Sequence, residues 1–583
     1  MTNNTPWLAY YQDVPHNLDY PQGSMFDLIS KTARLYPDHI AYSFMGSHTT
    51  YKSFVEQVHS VAKAFYAAGI REGQRVTLCL PNVPQTVMCF YALNLIGAVS
   101  NMIHPLSSEG EIAFYLRDSE SVAAVTLDQF YGKFAAARKE YDLPKLIIAS
   151  IADALSPIKR LGFKLTQGRK IPAIPAGADV IRWSDFHLAG QSYQGQYICP
   201  RKGSDAAAIL YSGGTTGTTK GILLSNLNFN ALAMQTVAMG QCLEPGKAML
   251  CIMPMFHGFG LGICIHAMLY YGCRCILIPR FNAASYAELL RKEKPNYIAG
   301  VPTLFEALLR NPDMDGVDLS CLMGVFSGGD SLSVELKKKV DIFLKEHKAS
   351  VEIREGYGTT ESVTASCLTP YNTAREGSIG IPLPDTYFKI VAVGTQRELP
   401  YGQEGEICMT GPTLMMGYVN QPEETAQTLQ THEDGQVWLH TGDLGLMDAE
   451  GFVYFRQRIK RMIISSGYSI YPSQLENVID AHESVLMSCV IGVPDPIKVQ
   501  KVKAFVMLKP GVDDEAKALD SLWDHCRHHI AKYSLPYEIA LRDDLPKTLV
   551  GKVAYKVLEA EEALAREQEQ TSAAEEALAP QQV

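Results

Sequence analysis

Short apolar runs alternate with segments of helical periodicity through most of the chain. The run RVTLCLP (75–81) is followed by the helical TVMCFYALNLIGA (86–98), and the alternation continues towards residue 350. Because a strand–helix–strand succession places parallel strands side by side, the pattern predicts an α/β fold with mostly parallel sheets. Seven further runs are predicted strands: AAVTL (123–127), KLIIAS (145–150), DAAAILYS (205–212), AMLCIMP (248–254), CRCILIP (273–279), NYIAGVP (296–302) and MGVFSGG (323–329).

The pattern changes twice further along the chain. Past residue 380, short strands with glycine turns predict a small β-rich subdomain. Residues 457–565 combine short strands with two helical segments, which indicates a compact α+β unit. We therefore expect a large multi-lobed N-terminal domain over residues 1–456, made of two α/β subdomains and the β-rich one. A small mobile C-terminal domain is expected over residues 457–565.

Acidic residues exceed basic ones, 62 against 52, and the formal net charge of −10 argues against nucleic acid as a partner. The excess is concentrated at the end of the chain, where residues 559–583 hold seven Glu and one Arg. Such a composition cannot build a core. We expect an acidic, disordered tail over 566–583.

One stretch is long enough to span a bilayer: the 19 residues from Met255 to Cys273 carry no formal charge. It contains two histidines and four glycines and follows Pro254, so we expect a buried loop and helix instead. The N-terminus lacks the basic and apolar regions of a signal peptide. The 13 cysteines show neither a zinc spacing nor a disulfide framework, which predicts reduced thiols and a cytoplasmic location.

The strongest local motif is YSGGTTGTTKG, residues 211–221, which follows a predicted strand. Its glycines let backbone N–H groups approach an anion, its threonines donate further hydrogen bonds, and Lys220 adds a positive charge. The motif therefore predicts a phosphate-binding loop, with a flexible surface loop as the alternative. It does not match the Walker A pattern of P-loop ATPases and kinases.

Four further motifs follow. GYGTTE (356–361) can offer hydroxyls and a carboxylate to a metal–phosphate complex, or form a helix N-cap. HTGDL (440–444) presents Asp443 on a turn, either for two ribose hydroxyls or as an ordinary Asp turn. RQRIKRMIISSG (456–467) and LPKTLVGKV (545–553) are each also typical of exposed basic loops.

In this order, the five motifs resemble the adenylate-forming (ANL) superfamily of acyl-CoA synthetases, peptide-synthetase adenylation domains and luciferases. The resemblance covers about residues 5–557. The Gly-Gly-Thr-Thr-Gly form of the loop and the opening segment 6–29 are most similar to bacterial long-chain fatty-acid–CoA ligases. The resemblance implies that ATP and a carboxylic acid give an acyl-adenylate and pyrophosphate, and that a thiol, usually that of CoA, then displaces AMP.

The resemblance implies a site for ATP and Mg²⁺. Tyr357 is implied to lie against adenine, and Glu361 to hold Mg²⁺ with Thr215 as a second ligand. Asp330 stands where the family often has Ala, which leaves its role open. The other implied nucleotide-binding residues are Ser212, Gly214, Thr215, Thr216, Gly217 and Lys220 in the loop, with Gly328, Gly329, Gly358 and Thr359.

Asp443 and Arg458 match the family's ribose-binding pair, which is also implied to bind the nucleotide. Lys460 matches the hinge about which the small domain rotates between the two half-reactions. Arg461 stands where the family usually has Asp, so the energetics of the hinge are open. Gly467 matches the loop that lines the pantetheine tunnel.

Three residues are implied to be catalytic. Thr360 would touch the α-phosphate, and Lys552 would neutralise the charge between the carboxylate and that phosphate. His257 matches a histidine at the mouth of the acyl pocket, with a neutral core histidine as the alternative. Amino-acid-activating relatives have Phe-Asp where this chain has Phe256-His257, which argues against α-amino acids. The apolar pocket lining is expected from 256–262, 300–305 and 325–329.

The insertion 151–175 resembles the same long-chain ligases and is rich in basic residues. Leu155, Ile158, Leu161 and Leu165 fall near helical spacing within it. This pattern predicts either a peripheral membrane contact that collects fatty acids or a plain basic connecting loop. Its basic residues are Lys159, Arg160, Lys164, Arg169 and Lys170.

We therefore expect an ATP-dependent ligase that joins a medium- or long-chain fatty acid to CoA with ATP and Mg²⁺. It would be cytoplasmic or peripheral at the inner membrane surface. The resemblance also implies that it could form a homodimer. An aryl or steroid-type acid is the alternative substrate. Only 31 residues follow Lys552, too few for a carrier domain, so acyl transfer to a carrier protein is expected only in trans. A P-loop ATPase and a non-catalytic acyl-binding relative are the other classes considered.

Overall fold

The computed structural model describes residues 5–578 except 172, 176, 178, 213–218, 466–467, 497 and 549–550. Within this part the chain forms strands β1 Ile40–Phe44, β2 Ser47–Thr50, β3 Arg75–Cys79, β4 Val99–Met102, β5 Ala123–Leu127, β6 Leu146–Ala149, β7 Val180–Arg182, β8 Ala206–Tyr211, β9 Gly221–Ser225, β10 Ala248–Cys251, β11 Arg274–Leu277, β12 Tyr297–Gly300, β13 Gly324–Ser327, β14 Ile353–Tyr357, β15 Cys367–Leu368, β16 Ile381–Pro382, β17 Tyr387–Val391, β18 Gly405–Thr410, β19 Gly417–Tyr418, β20 Leu429–Thr431, β21 Val437–Met447, β22 Val453–Arg458, β23 Ile463–Ser465, β24 Tyr468–Ile470, β25 Val485–Asp495, β26 Val499–Leu508 and β27 Glu538–Leu541.

The α-helices are α1 Met25–Leu35, α2 Tyr51–Ala67, α3 Pro84–Leu95, α4 Glu109–Asp118, α5 Tyr131–Ala137, α6 Pro157–Leu165, α7 Trp183–Ser192, α8 Asn226–Gly240, α9 Met268–Tyr271, α10 Tyr286–Glu293, α11 Pro302–Arg310, α12 Val334–Glu346, α13 Pro422–Thr428, α14 Pro472–Asp480, α15 Glu515–His529 and α16 Tyr555–Leu578. A π-helix over Phe259–Ala267 leads into α9. Short 3₁₀ turns include Ile151–Ala154, Gln167–Lys170, Thr360–Ser362 and Ile459–Arg461.

Two mostly parallel sheets form the body of the protein. One has the strand order β19-β9-β8-β4-β3-β5-β6-β7, and the other has the order β16-β15-β14-β13-β12-β10-β11-β1-β2. Helix α3 is buried along its whole length and α8 along most of it, and residues of both sheets share one hydrophobic cluster with these helices. The prediction of an α/β body with mostly parallel strands is confirmed.

A five-stranded sheet, β17-β18-β21-β20 with β22 beside β21, forms the β-rich part near the end of the body. Its apolar face packs against Trp7 and Tyr11 from the start of the chain. A second five-stranded sheet, β24-β23-β26-β25 with β27 beside β26, is packed with α14, α15 and the start of α16. The fold is therefore a large α/β body with a β-rich part and a small α+β domain.

The uncharged stretch Met255–Cys273 lies in the core as a turn, a π-helix and α9. Among the described residues, no helix combines the length and the apolar character that crossing a bilayer requires.

The structure differs from the disordered tail expected over 566–583. Helix α16 continues to Leu578, because Ala, Glu and Gln are good helix formers. The start of the helix is anchored: Leu558 is fully buried in the small domain, and Glu562 accepts a 2.7 Å bond from Lys503. Residues 579–583 lie outside the described part.

Candidate active site

The site lies where two neighbouring parallel strands end. Gly328 and Gly329 follow β13, and Tyr357 closes β14, whose register pairs Ser327 with Glu355. Since the carboxyl ends of parallel strands meet at one edge of a sheet, the predicted nucleotide-binding motifs come together there. Gly329 has a φ of +81°, a left-handed conformation that favours glycine.

The turn that carries Thr360 and Glu361 packs closely against Gly258 and Gly358. A Cβ atom on Gly258 would lie 1.7 Å from the Val363 carbonyl oxygen, and one on Gly358 would lie 1.8 Å from that of Thr364. Both positions therefore exclude any side chain. Gly358, predicted as a nucleotide-binding residue, is required here for the close approach of two backbone segments.

The predicted ribose pair is formed on one sheet. Asp443 on β21 faces Arg458 on β22, with 3.2 Å between Asp443 Oδ1 and Arg458 Nε. The Tyr357 hydroxyl donates to Asp443 Oδ2 at 2.7 Å. Burial raises the pKa of Asp443, and the charge of Arg458 and the bond from Tyr357 oppose that rise. Buried Asp443 thus contacts both partly buried Tyr357 and exposed Arg458.

Glu406 on β18, which belongs to none of the predicted motifs, holds the part of β21 that presents Asp443. The HTGDL motif, predicted as a turn, lies within this strand, Val437–Met447. Its Oε1 atom accepts the Gly442 N–H at 2.9 Å, and its Oε2 atom lies 3.0 Å from His440 Nδ1. His440 Nε2 in turn lies 2.9 Å from His432 Nε2. A buried Glu inside the apolar strand GEICMT was the signal that could have found it, because such a carboxylate needs partners.

Two hydrogen bonds join the ends of the predicted phosphate loop. Ser212 N–H donates to the Lys220 carbonyl oxygen at 3.2 Å, and Lys220 N–H donates to Ser212 Oγ at 3.4 Å. The predicted residues between them, Gly214, Thr215, Thr216 and Gly217, lie outside the described part of the chain, and so does Gly467 of the predicted pantetheine loop.

Lys220 and Glu361 are linked through Tyr418. The Lys220 ammonium forms an ion pair with Glu424, which lowers the pKa of that carboxylate, and lies 4.8 Å from the centre of the Tyr418 ring. The Tyr418 hydroxyl donates to Glu361 Oε1 at 2.8 Å. The lysine of the loop and the predicted metal ligand therefore contact the same aromatic side chain.

Lys552 comes from the small domain and reaches the same site. Its turn is closed by Gly551, which has a φ of +87°, and Thr303 Oγ1 on α11 donates to the Gly551 carbonyl oxygen at 2.6 Å. A Cβ atom on Gly329 would lie 3.7 Å from Lys552 Cε. The lysine is thus docked against the large body.

Charges around Lys552 show which predicted residues are brought together. Burial lowers the pKa of the Lys552 ammonium, and the carboxylates of Asp330, Asp443 and Glu361 oppose that effect. The positive charge of Arg458 also lowers the pKa of Lys552. The residues implied for ribose and metal binding therefore lie within electrostatic reach of the Lys552 ammonium group.

His257 carries no charge near neutral pH. Burial, with a smaller contribution from Lys552, lowers the pKa of His257 to about 3. Its Nδ1 atom accepts the Phe259 N–H at 3.2 Å, so the ring is held at the start of the π-helix. A neutral imidazole beside Lys552 can donate or accept a hydrogen bond, and it adds no second positive charge.

The predicted hinge lies in the 3₁₀ turn Ile459–Arg461 between the large body and the small domain, and Lys460 is exposed. Arg461 is anchored in the small domain, where it pairs with Glu476 and donates to the Val490 carbonyl oxygen at 3.2 Å. Asp330 acts electrostatically on both Lys552 and Arg461. Both departures from the family pattern thus lie where the two domains meet.

An apolar cavity lies between α8, β10, the π-helix and α9, and Gly328 and Tyr357 are among the residues that line it. Met249 and Met268 line it in the core. Thr236 on α8 also lines it, and its buried Oγ1 atom has no hydrogen-bond partner in the described structure.

Part of the lining expected for the acyl pocket is found at this cavity. Phe259 and residues 326–329 line the cavity, but none of 300–305 does. Leu304 fills the space beside Gly300, where a Cβ atom would lie 2.6 Å from Leu304 Cδ2. Thr303, on the same helix, contacts the lysine turn instead. Residues 300–305 therefore do not line this cavity.

Comparison with known proteins agrees with this arrangement. The AMP-binding enzyme family matches residues 29–419, and the AMP-binding enzyme C-terminal domain matches residues 474–552. The chain belongs to the AMP-binding enzyme family. It is an ATP-dependent, AMP-forming acid–CoA ligase of the adenylate-forming superfamily.

Relatives of known name cover nearly the whole chain. It is 34% identical to a long-chain-fatty-acid–CoA ligase of Bacillus subtilis (strain 168) over 577 residues, 96% of this chain and 99% of that protein. It is 30% identical to one from Yersinia pestis, over 95% of this chain and 98% of that protein.

Solved structures share the fold. The anthranilate CoA ligase AuaEII in complex with anthranoyl-AMP matches with a TM-score of 0.79 and 24% identity, covering 95% of this chain and 99% of that one. ATP-bound MatB from Rhodopseudomonas palustris matches with a TM-score of 0.77 and 24% identity, covering 91% and 98%.

Proposed function

We propose that this enzyme activates a long-chain fatty acid as its acyl-adenylate and transfers the acyl group to CoA. The observation that carries the proposal is the apolar cavity, which is lined by Tyr357 and Gly329, the glycine next to Lys552, and by Met249 and Met268 in the core. An alkyl chain can fill such a cavity while its carboxylate stays at the mouth, beside Lys552. The names of the relatives from Bacillus subtilis and Yersinia pestis support the same substrate class.

In the first half-reaction, a carboxylate oxygen attacks the α-phosphorus of ATP and pyrophosphate leaves. We assign Lys552 to the neutralisation of the two approaching anions and Thr360 to a contact with the α-phosphate. Removal of one such electrostatic group costs about 10²–10³ in rate in related chemistry. Asp443 and Arg458 would hold the ribose, with Tyr357 beside the base.

Glu361 is assigned to Mg²⁺. A carboxylate with one oxygen already fixed by Tyr418 is a hard, oriented ligand of the kind that Mg²⁺ takes alongside phosphate oxygens. The ion would neutralise charge on the phosphates of ATP. Lys220 would leave Glu424 for those phosphates, because a phosphate chain carries more negative charge than one carboxylate.

In the second half-reaction, the CoA thiolate attacks the acyl carbonyl carbon and AMP leaves. Lys460 is assigned to the hinge about which the small domain withdraws Lys552, and Gly467 to the pantetheine tunnel. CoA is the proposed acceptor, and a carrier protein in trans is the alternative.

An aryl acid is the second candidate substrate, because Phe259 and Phe326 offer aromatic faces to the cavity and the Thr236 hydroxyl has no partner there. Anthranilate and benzoate CoA ligases are among the proteins of similar fold. A polar ring substituent could pair with that hydroxyl.

The test is pyrophosphate release over acids from C4 to C18, with aryl and steroid acids beside them. For an alkyl chain, kcat/KM should rise about fourfold per methylene, since burying a CH₂ is worth about 0.8 kcal/mol, until the cavity is full. Thr236→Phe should end that rise at a shorter acid. Thr236→Val, which keeps the volume, is the matched control. A maximum on an aryl acid, with no dependence on alkyl chain length, would reject the fatty-acid proposal.

A further inference from the structure

Helix α6 shows its apolar side to solvent. Ile158, Leu161 and Leu165 share one helical face, and their side chains are 86%, 61% and 53% exposed. A helix on the surface of a globular protein normally presents the opposite arrangement, with its apolar face towards the core. The outward face of α6 therefore lacks a partner within the described part of this chain.

The opposite side of α6 is fixed to the protein. Phe163 packs against the main hydrophobic cluster. The Lys159 ammonium donates to the Met45 carbonyl oxygen, and Arg160 Nε donates to that of Ala152 at 3.0 Å. These contacts hold the helix in one orientation. The fold itself therefore directs the apolar face of α6 towards solvent.

The helix and the turn after it are strongly basic. Residues 157–170 contain five Lys or Arg and no acid, in a chain whose net charge is −10. Lys159 and Arg160 donate these hydrogen bonds to carbonyl oxygens, which carry no formal charge. The bonds therefore do not neutralise the two positive charges. Half-exposed Met45 lies beside Lys159 and enlarges the apolar surface.

We propose that α6 is an interfacial helix that docks this enzyme on the surface of an anionic lipid bilayer. Apolar side chains that enter the acyl boundary, flanked by basic residues at the headgroups, are the known requirements for such binding. The surface of three aliphatic side chains is much smaller than the area that a stable protein–protein interface buries, which is about 1,200 Å² or more. A second copy would also bring five like charges against these five.

The experiment is co-sedimentation of the full-length protein with vesicles. One set contains equal parts of phosphatidylglycerol and phosphatidylcholine, and the other contains phosphatidylcholine alone. We expect binding to the anionic vesicles at least tenfold tighter than to the neutral ones, falling as salt rises. The triple variant Ile158→Ser, Leu161→Ser, Leu165→Ser should bind the anionic vesicles at least tenfold more weakly, and Arg169→Glu at least twofold more weakly.

The control replaces equally exposed apolar residues elsewhere, Leu35→Ser with Ile342→Ser, which should leave binding unchanged. Pyrophosphate release with a short, water-soluble acid should be the same in all variants, which establishes that they fold. The proposal is overturned if the wild type ignores anionic vesicles or if the triple variant binds like the wild type. It is also overturned if light scattering shows that the triple variant loses a dimer while vesicle binding is unaffected. Because binding needs no turnover, the result is independent of which acid the enzyme activates.

Discussion

The ribose-binding pair and the lysine turn reach the same site by different routes. Asp443 and Arg458 lie opposite each other on adjacent strands of one sheet, and Glu406 accepts the N–H of Gly442, the residue before Asp443. Lys552 belongs to the small domain. Its turn contacts the large body through a hydrogen bond from Thr303 and through Gly329. One half of the site is thus part of a continuous sheet, whereas the other half is a contact between two domains.

The sharpest test of this division is Lys552→Ala. We expect carboxylate-dependent ATP–pyrophosphate exchange to fall about 10²–10³-fold, because the charge between two anions is lost. Transfer of a supplied acyl-adenylate to CoA should persist, since the large-body half of the site is intact. Lys547→Ala, on the same turn but paired with Asp544 at the surface, is the control and should change neither rate. An equal loss in both half-reactions would refute the separate role of the lysine.

Lys460→Pro tests the movement between the two arrangements. A proline fixes φ, so the hinge should lose the freedom to rotate. We expect thioester formation to fall about tenfold with exchange nearly unchanged, since lid and hinge movements often limit turnover. Lys460→Ala, which alters the side chain and leaves the backbone free, should retain both rates. Selective loss of exchange in the proline variant would contradict the hinge assignment.

Thr303→Val weakens the docking contact alone. Loss of one hydrogen bond costs about 0.5–1.5 kcal/mol, so exchange should fall about two- to tenfold. Thioester formation should be unaffected, because the Gly551 carbonyl would have left Thr303 at that stage. Thr303→Ser restores the donor and should restore the rate. Equal effects on both steps would place Thr303 in the stability of the body instead.

The smallest expected effect concerns His257 and pH. With its pKa lowered to about 3 by burial, the imidazole is neutral at every pH above about 4, so protonation would begin only below that value. The pH–rate profile of exchange should therefore show no inflection from His257 between pH 5 and 8. His257→Asn should change the height of the profile but not its shape. An acid limb near pH 6.5 that disappears in His257→Asn would show that the ring titrates.

The sequence predicted the parts of the site that are local. HTGDL and the arginine of RQRIK are contiguous motifs, and the sheet register then brings Asp443 and Arg458 together. Glu406 and Thr303 escaped prediction because their partners lie 36 and 248 residues away along the chain. The expected lining over 300–305 differs for another reason: a glycine leaves room only where no neighbour fills it, and Leu304, four residues along the chain, fills the space beside Gly300.

The two glycines that clasp the Thr360–Thr364 turn also limit how this enzyme can evolve. Any side chain at position 258 or 358 would collide with main-chain oxygen, so neither position is open to gradual change. The cavity is lined instead by side chains at Thr236, Met249 and Met268, which substitution can change in size. Descendants of this sequence that acquire new substrates should therefore differ in those side chains, while the chemistry at the mouth is inherited unaltered.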